Sequence, residues 1–388
     1  MTEKELPRNI LNILQEVSKG GASLHEPSFN GNELKYISEC IASSYVSSNG
    51  EFLEKFSSSL EDFTGSKYVS LVVNGTSALH IALLLAGVKE DDEVLIPTFT
   101  FVATANAVNY CNAIPHFVDI QESDLGFDIE KLRRYLKLIT TNIKGACINK
   151  HTKRKIKALV PMHTFGHPSD MVNIKSLCDE FSLELVEDAA ESLGSFYGEQ
   201  HTGTFGKLGV LSFNGNKIIT TGGGGAILTN CEETHDRVRH ITTTSKIKHS
   251  WEYKHDTVGY NYRMPNLNAA LGCGQLEQLP SFLASKRRLF NTYMQLFEEL
   301  KGVSLFSEPT NTRSNYWLQT LIFEEKSSHL LESVLKVTND AGFYTRPAWN
   351  LLHKMKPYSK CPSMDLSNSI SLRKRVLNIP SSPFLIQA

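Results

Sequence analysis

Val69-Ser-Leu-Val-Val-Asn-Gly-Thr-Ser-Ala-Leu-His-Ile-Ala-Leu-Leu-Leu-Ala86 sets a pattern that the chain then repeats. A short apolar run at residues 69–73 meets a turn at Asn74-Gly75, and residues 76–86 then have the length and apolar content of a buried helix. The same alternation follows with a strand at 93–96 and a helix from about 100 to 110. Further apolar strands fall at 115–119, 158–162, 184–187, 210–213 and 226–229. Strands alternating with helical stretches predict an α/β fold, a mostly parallel sheet with helices on both faces. Sites in such sheets lie at the carboxyl ends of the strands.

Ahead of this region Ile10, Ile13, Leu14 and Val17 share one helical face, and a second helix-like stretch at 33–42 leads to the turn Ser47-Ser-Asn-Gly50. Beyond Asn261 the pattern changes to long helices at about 266–279 and 285–300, a strand at 316–323 and a helix near 330–341. At 388 residues the chain exceeds the size at which a single core stops growing, about 250–300 residues. We expect a large domain over 1–262 and a smaller C-terminal α/β domain over 263–388.

The balance of 40 basic and 41 acidic residues gives a net charge of −1, so no overall field draws the chain to nucleic acid or an anionic membrane. A small-molecule substrate fits that balance. Cys40, Cys111, Cys147, Cys178, Cys231, Cys273 and Cys361 are scattered, with no C-x-x-C pair and no zinc spacing, and read as reduced thiols. The opening Met-Thr-Glu-Lys-Glu-Leu-Pro lacks the basic and apolar regions of a signal peptide, and the apolar stretch at 79–88 is too short to span a bilayer. The expected location is cytoplasmic.

Four segments carry chemistry, each at a predicted strand end. In Leu211-Ser-Phe-Asn-Gly-Asn-Lys-Ile-Ile-Thr-Thr-Gly-Gly-Gly-Gly225, Lys217 stands between the hydroxyl of Ser212 and a glycine-rich turn. Asn74-Gly-Thr-Ser77 begins a helix, so Gly75, Thr76 and Ser77 would present N–H groups and hydroxyls to an anion. Phe101 stands where a strand end meets a helix and could stack on a planar ligand. Asp188 ends an apolar strand, so its carboxylate would need a cationic partner. Each segment alone has a plainer reading: a surface lysine, a helix N-cap, a core aromatic, an N-cap aspartate. Together they supply the amine, anion site, ring face and acid that pyridoxal phosphate (PLP) requires.

Two other features point elsewhere and are set aside. His163 and His167 are four apart, but no Glu follows the first and a glycine-proline context breaks the helix that a zinc pair needs. No metal is expected, and His163 reads as a neighbour of cofactor or substrate. Gly222 to Gly225 fit no nucleotide-loop pattern and read as a turn that permits close backbone approach.

In order and wording the motifs resemble the DegT/StrS-type sugar aminotransferases, PLP enzymes of the aspartate-aminotransferase fold (PLP fold type I), and within them the LegC-like branch. Met162-His-Thr-Phe-Gly-His-Pro168, Glu187-Asp-Ala-Ala-Glu-Ser-Leu-Gly194, the Lys217 segment and Gly259-Tyr-Asn-Tyr-Arg-Met-Pro-Asn266 carry the likeness. The resemblance implies that Lys217 forms the Schiff base, Asp188 faces the pyridine nitrogen and Phe101 covers the ring. It implies that Thr76, Ser77 and Ser212 hold the phosphate, that Glu191 lies near the 3-hydroxyl, and that Asn261 reaches the phosphate from the second subunit of a homodimer. Two departures stand out: Gly222-Gly-Gly-Gly225 where many relatives have a Glu among the glycines, and Tyr45 where tryptophan is common.

The implied reaction is amination of a 4-keto-6-deoxy nucleotide sugar with glutamate as the amino donor, in bacterial surface-glycan biosynthesis. The LegC-like wording implies a UDP-linked 2-acetamido-2,6-dideoxy-4-hexulose. Arg263 and Arg346 are candidates for its diphosphate. Two alternatives are a PLP-dependent nucleotide-sugar dehydratase, which carries histidine in place of the lysine, and a non-catalytic sugar-binding or regulatory relative. Lys217, Asp188 and Ser212 argue against both.

Overall fold

In a computed structural model, residues 5–386 are described; the opening Met-Thr-Glu-Lys and the last two residues lie outside them. The central sheet has seven strands in the order Tyr68–Val72, Gly225–Thr229, Leu208–Ser212, Glu184–Asp188, Ile156–Leu159, Glu93–Pro97 and Ile114–Val118. Gly225–Thr229 runs antiparallel to both of its neighbours, and the other pairings are parallel. The fold is α/β, as the alternation predicts.

The Gly75–Leu85 helix is buried along most of its length, which explains why residues 78–85 are apolar except for His80: it has no solvent face to make polar. Helix starts on this side are capped by short polar side chains. Asn74, Asp128 and Asp170 accept the N–H groups of Ser77, Lys131 and Asn173 at 2.7, 3.0 and 3.2 Å.

A second sheet of four antiparallel strands, Val303–Leu305, Gln319–Phe323, Val376–Ile379 and Arg346–Pro347, is built from the C-terminal third. The Glu5–Val17 helix, at the opposite end of the sequence, packs on this sheet: Leu6, Ile10 and Leu14 join Leu289, Tyr293, Leu321 and Ile379 in one core. Sequence continuity places that helix with residues 1–262, whereas its apolar face is buried against the C-terminal sheet.

The two helices expected at 266–279 and 285–300 are one helix, Asn266–Phe297, which passes through Pro280. A proline inside a helix costs about 3 kcal/mol. Burial of Ala269, Ala270, Cys273, Leu276 and Leu279 on one side of it, and of Phe282, Leu289, Phe290, Tyr293 and Phe297 on the other, outweighs that cost. Four connecting stretches that the sequence reading leaves unassigned are also helical: Glu51–Thr64, Ile129–Ile139, Met171–Phe181 and Glu232–Thr242. Among the described residues, no helix is long and apolar enough to cross a membrane.

Candidate active site

The carboxyl ends of the central strands open on a cavity of ≈ 880 Å³, whose far wall comes from residues 23–25 and the C-terminal sheet. That volume lies in the range that holds a ligand of drug size. Asn74, Gly75, Thr76, Phe101, Asp188, Glu191, Ser212 and Lys217 all line it.

The anion end is built by close packing. A Cβ on Gly75 would sit 2.9 Å from the Ser212 Cβ, so only glycine lets this helix start press against the strand end. A Cβ on Gly225 would lie 2.8 Å from the Gly75 nitrogen, which gives the glycine-rich turn its reason. Asn74 takes the Ser77 N–H, and Ser77 is not among the lining residues; Gly75 and Thr76 are. A helix start with cavity-facing residues and a neighbouring hydroxyl on Ser212 suits a phosphate group.

Asp188 is buried at the end of its strand. The Thr104 hydroxyl donates to its Oδ2 at 2.8 Å and the Ala190 N–H to its Oδ1 at 3.3 Å. Burial pushes the Asp188 carboxyl up, and the Thr104 and Ala190 hydrogen bonds, together with the charge of Lys217, pull it back down. A cation placed against it would favour the ionised form, the role a protonated pyridine nitrogen would fill.

The Lys217 amine lies 3.2 Å from Glu191 Oε1 and 4.0 Å from the centre of the Trp317 ring. Trp317 is itself fixed by an indole N–H donated to the Asn216 carbonyl at 2.7 Å. Glu191 also accepts the Phe165 N–H at 3.0 Å. Burial raises its carboxyl to about 7 despite the adjacent ammonium. Phe101, 51% exposed, presents an apolar ring to the cavity. Acid, amine, ring and anion end thus face one space, the donor set that PLP needs.

Besides Ser77, which the resemblance places on the phosphate, three predicted residues stand apart from this cavity. His163 is fully buried behind Asp188, not on the cavity surface: its backbone N–H donates to the Asp188 carbonyl at 3.2 Å. Its Nδ1 accepts the Ser169 N–H, so Nε2 carries the proton and donates to Glu187 at 3.2 Å. Glu187 in turn accepts N–H groups from Gly203, Phe205 and Gly206 at 2.6–2.7 Å, which fixes the turn beneath the site. Arg263 lies in a separate groove with Glu54, His235 and Arg239. Asn261 is exposed beside Thr243, away from the cavity of its own chain. Arg346, by contrast, lines the far wall.

The sequence reading missed Asn74, Thr104 and Trp317, and on the far wall His25 and Arg373. Thr104 was open to discovery, because it stands one helical turn into the helix that Phe101 begins. Trp317 and His25 carry no local signal; tertiary packing alone brings them to Lys217.

The DegT/DnrJ/EryC1/StrS aminotransferase family matches residues 27–388. The GDP-perosamine synthase of Escherichia coli O157:H7 is 34% identical over 369 residues, covering 93% of each chain. The crystal structure of a DegT DnrJ EryC1 StrS aminotransferase from Brucella abortus aligns at a TM-score of 0.83 with 25% identity, over 92% of this chain and 91% of that one. Helicobacter pylori PseC, an aminotransferase involved in the biosynthesis of pseudoaminic acid, shares the fold at a TM-score of 0.85 with 22% identity, over 94% and 95%. The chain belongs to the DegT/DnrJ/EryC1/StrS family and is a PLP-dependent aminotransferase.

Proposed function

We propose that this family member transfers an amino group from an amino acid, with glutamate as donor, to the ketone of a 4-keto-6-deoxy nucleotide sugar. The acceptor assigned is a UDP-linked 2-acetamido-2,6-dideoxy-4-hexulose, and the product its 4-amino sugar. The observation that carries the reading is one cavity in which Lys217 and Asp188 stand on the sheet side while Arg346 and Arg373 stand on the far wall. A ligand that is ketone at one end and diphosphate at the other matches that division of charge.

Bound PLP supplies an electron sink for the carbon–nitrogen chemistry. Asp188 would hold the pyridine nitrogen protonated, with Thr104 and the Ala190 N–H orienting the carboxylate. Gly75, Thr76 and Ser212 would take the phosphate, and Phe101 would cover one ring face. Lys217 Nζ would anchor the aldehyde and, once freed, move the proton at the donor's Cα. Glu191, raised to about 7, stands beside that amine and can hold or release a proton at neutral pH.

The active unit in this reading is a homodimer with shared sites. Its support is the segment that leads to Asn261, in which Trp251, Tyr253 and Val258 are 82%, 81% and 78% exposed, apolar side chains of the kind a second copy covers. In the dimer Asn261 would reach the partner's phosphate site. Mixing Lys217→Ala with Asn261→Ala subunits should restore activity, since the mixed dimer contains one intact site; no recovery would count against shared sites.

The substrate reading is tested by assaying UDP-, GDP- and dTDP-linked 4-ketosugars with glutamate. The E. coli O157:H7 relative is named for a GDP-linked product, so clear preference for a GDP-linked ketosugar would overturn the UDP assignment.

A further inference from the structure

Arg346–Pro347 is the edge strand of the C-terminal sheet, and the extended chain that enters it sends successive side chains to opposite faces. Phe343 and Thr345 are buried on one face. Phe343 joins the core with Leu377 and Ile379, and the Thr345 hydroxyl lies 2.7 Å from that of Thr338 and accepts from Asn339 Nδ2 at 3.0 Å. Tyr344 and Arg346 stand on the other face: both line the cavity, and Tyr344 is 57% exposed. Strand pairing gives the same direction independently. Arg346 lies opposite Asn378, and residues directly opposite in an antiparallel pair share a face; Asn378 lines the cavity too.

The backbone under Tyr344 is held from both sides. Its N–H donates to the Ala22 carbonyl at 2.8 Å and the Ala22 N–H to the Gly342 carbonyl at 3.0 Å, while Arg346 and Pro347 pair with Asn378 and Leu377. A backbone fixed before any ligand arrives lowers the ordering cost of a contact made to its side chains. From this rim the same stretch of chain runs inward. Beyond Arg346, Ala348 and Trp349 continue the lining, and the Trp349 ring stacks on that of Phe165 with centroids 4.9 Å apart. The Phe165 N–H in turn is held by Glu191, whose Oε1 lies 3.2 Å from the Lys217 amine. Exposure falls along the way, from exposed Tyr344 and Arg346 through half-buried Trp349 to buried Phe165. The wall thus presents an open aromatic ring, a cation and a second aromatic ring, in that order from rim to amine.

We infer that Tyr344 is the platform on which the base of the nucleotide sugar stacks, with Arg346 at its diphosphate. The inference rests on the nucleotide-sugar reading given above. Such a ligand has its parts in a fixed order: base, ribose, diphosphate, ketosugar. With the ketone at Lys217 the sugar lies beside Trp349, the diphosphate reaches Arg346, and the base is carried out to the rim. Two residues of extended chain cover about 7 Å, so Tyr344 and Arg346 are spaced to meet a planar ring and an anion with a ribose between them. Arg346 has no carboxylate partner among the described residues, which leaves its guanidinium to an anion. A tyrosine ring with an open face accepts any base, because every base has a π-face of its own. Glutamate has neither a planar ring nor a phosphate, so the amino donor makes no use of this pair.

The test uses holoenzyme and the probes UDP, GDP and inorganic pyrophosphate, with binding measured by calorimetry and the glutamate half-reaction followed by cofactor absorbance. The wild type should bind both nucleotides more tightly than pyrophosphate. Tyr344→Ala should weaken UDP and GDP about 10-fold, the scale of one stacked base, and leave pyrophosphate and the glutamate half-reaction within about twofold. KM for the ketosugar that the wild type aminates should rise by a similar factor with kcat little changed. Tyr344→Trp, which enlarges the π-face, should bind the nucleotides at least as well as the wild type, whereas Tyr344→Leu, which keeps apolar bulk alone, should resemble Tyr344→Ala. Unaltered nucleotide binding in Tyr344→Ala, an equal loss for pyrophosphate, or full binding by Tyr344→Leu would overturn the inference and leave the nucleotide-sugar reading standing. A wild type that binds neither nucleotide would strike that reading and the inference with it.

Discussion

The two walls of the cavity differ in how their polar groups are satisfied. On the sheet side Asp188 is held by Thr104 and Ala190, and Glu191 by Phe165 and Lys217, whose amine also lies over Trp317. On the far wall His25 has no partner at either nitrogen and Arg373 none at Nε. A wall whose groups are already oriented by protein contacts is suited to a resident cofactor, which must be met in the same geometry at every turnover. A wall with few internal hydrogen bonds that carries the cations Arg346 and Arg373 is suited to an anionic ligand that enters and leaves. Arg373 makes one hydrogen bond, from Nη2 to Asn350 Oδ1 at 3.0 Å, and its Nε is buried, so a contact to an anion would come from the Nη donors.

The sharpest way to break this contrast is at Lys217. Borohydride reduction and peptide mapping should place a pyridoxyl adduct on this residue, and Lys217→Ala should lose turnover by at least about 10²–10⁴, the range for a positioned acid–base group. An adduct on another lysine, or activity near that of the wild type, would remove the sheet side from the chemistry. Asp188→Asn should slow both half-reactions together, because the cofactor serves both.

On the far wall the effect should be smaller and one-sided. Arg346→Ala should raise KM for the nucleotide sugar about 10-fold, or about 1.4 kcal/mol, while the glutamate half-reaction stays near its wild-type rate. A matching loss in the glutamate half would place Arg346 with the donor or the cofactor and blur the division between the walls.

The last effect concerns stability and leaves turnover aside. The Glu191 carboxyl is raised to about 7 in the folded chain from a reference of 4.5, so the folded state binds a proton more tightly than the unfolded state between those values. The stability that this proton lends is therefore lost as pH rises from about 4.5 to 7. In cofactor-free protein, Glu191→Gln should flatten that fall, and the difference between the two proteins across the window should be of the order of 1–3 kcal/mol. Parallel pH profiles would mean that Lys217 keeps Glu191 ionised throughout.

The same contrast explains what was legible in the sequence. Lys217, Asp188, Phe101 and Thr76 follow strand ends, and a strand, a turn and a helix start leave a punctuation that can be read locally. His25, Trp317 and Arg373 reach the cavity from three remote segments, and no spacing rule joins them. His163 was placed at the right strand end, but the reading could not tell that its ring turns back toward Glu187. The Glu51–Thr64 helix was within reach: Phe52, Phe56, Leu60 and Phe63 keep helical spacing, and three of these four are buried in the core. The break expected at Pro280 shows the opposite limit, a local rule overruled by burial on both sides of it.

The Asn266–Phe297 helix has a mechanical consequence. At 1.5 Å per residue its 32 residues make a shaft about 48 Å long, and its two halves are embedded in different cores. Loosening either core strips support from the other through the shaft, so the two sheets should melt in one cooperative transition. The shaft is also stiff except at Pro280, which can donate no N–H to the preceding turn. Any rocking of the C-terminal sheet against the central one must therefore either bend the shaft there or carry the whole rod along. Such a linkage transmits a push on the substrate wall to the Lys217 loop, since Lys286 of the same rod grips the carbonyl of Trp317 and Asn268 grips those of Thr221 and Gly223.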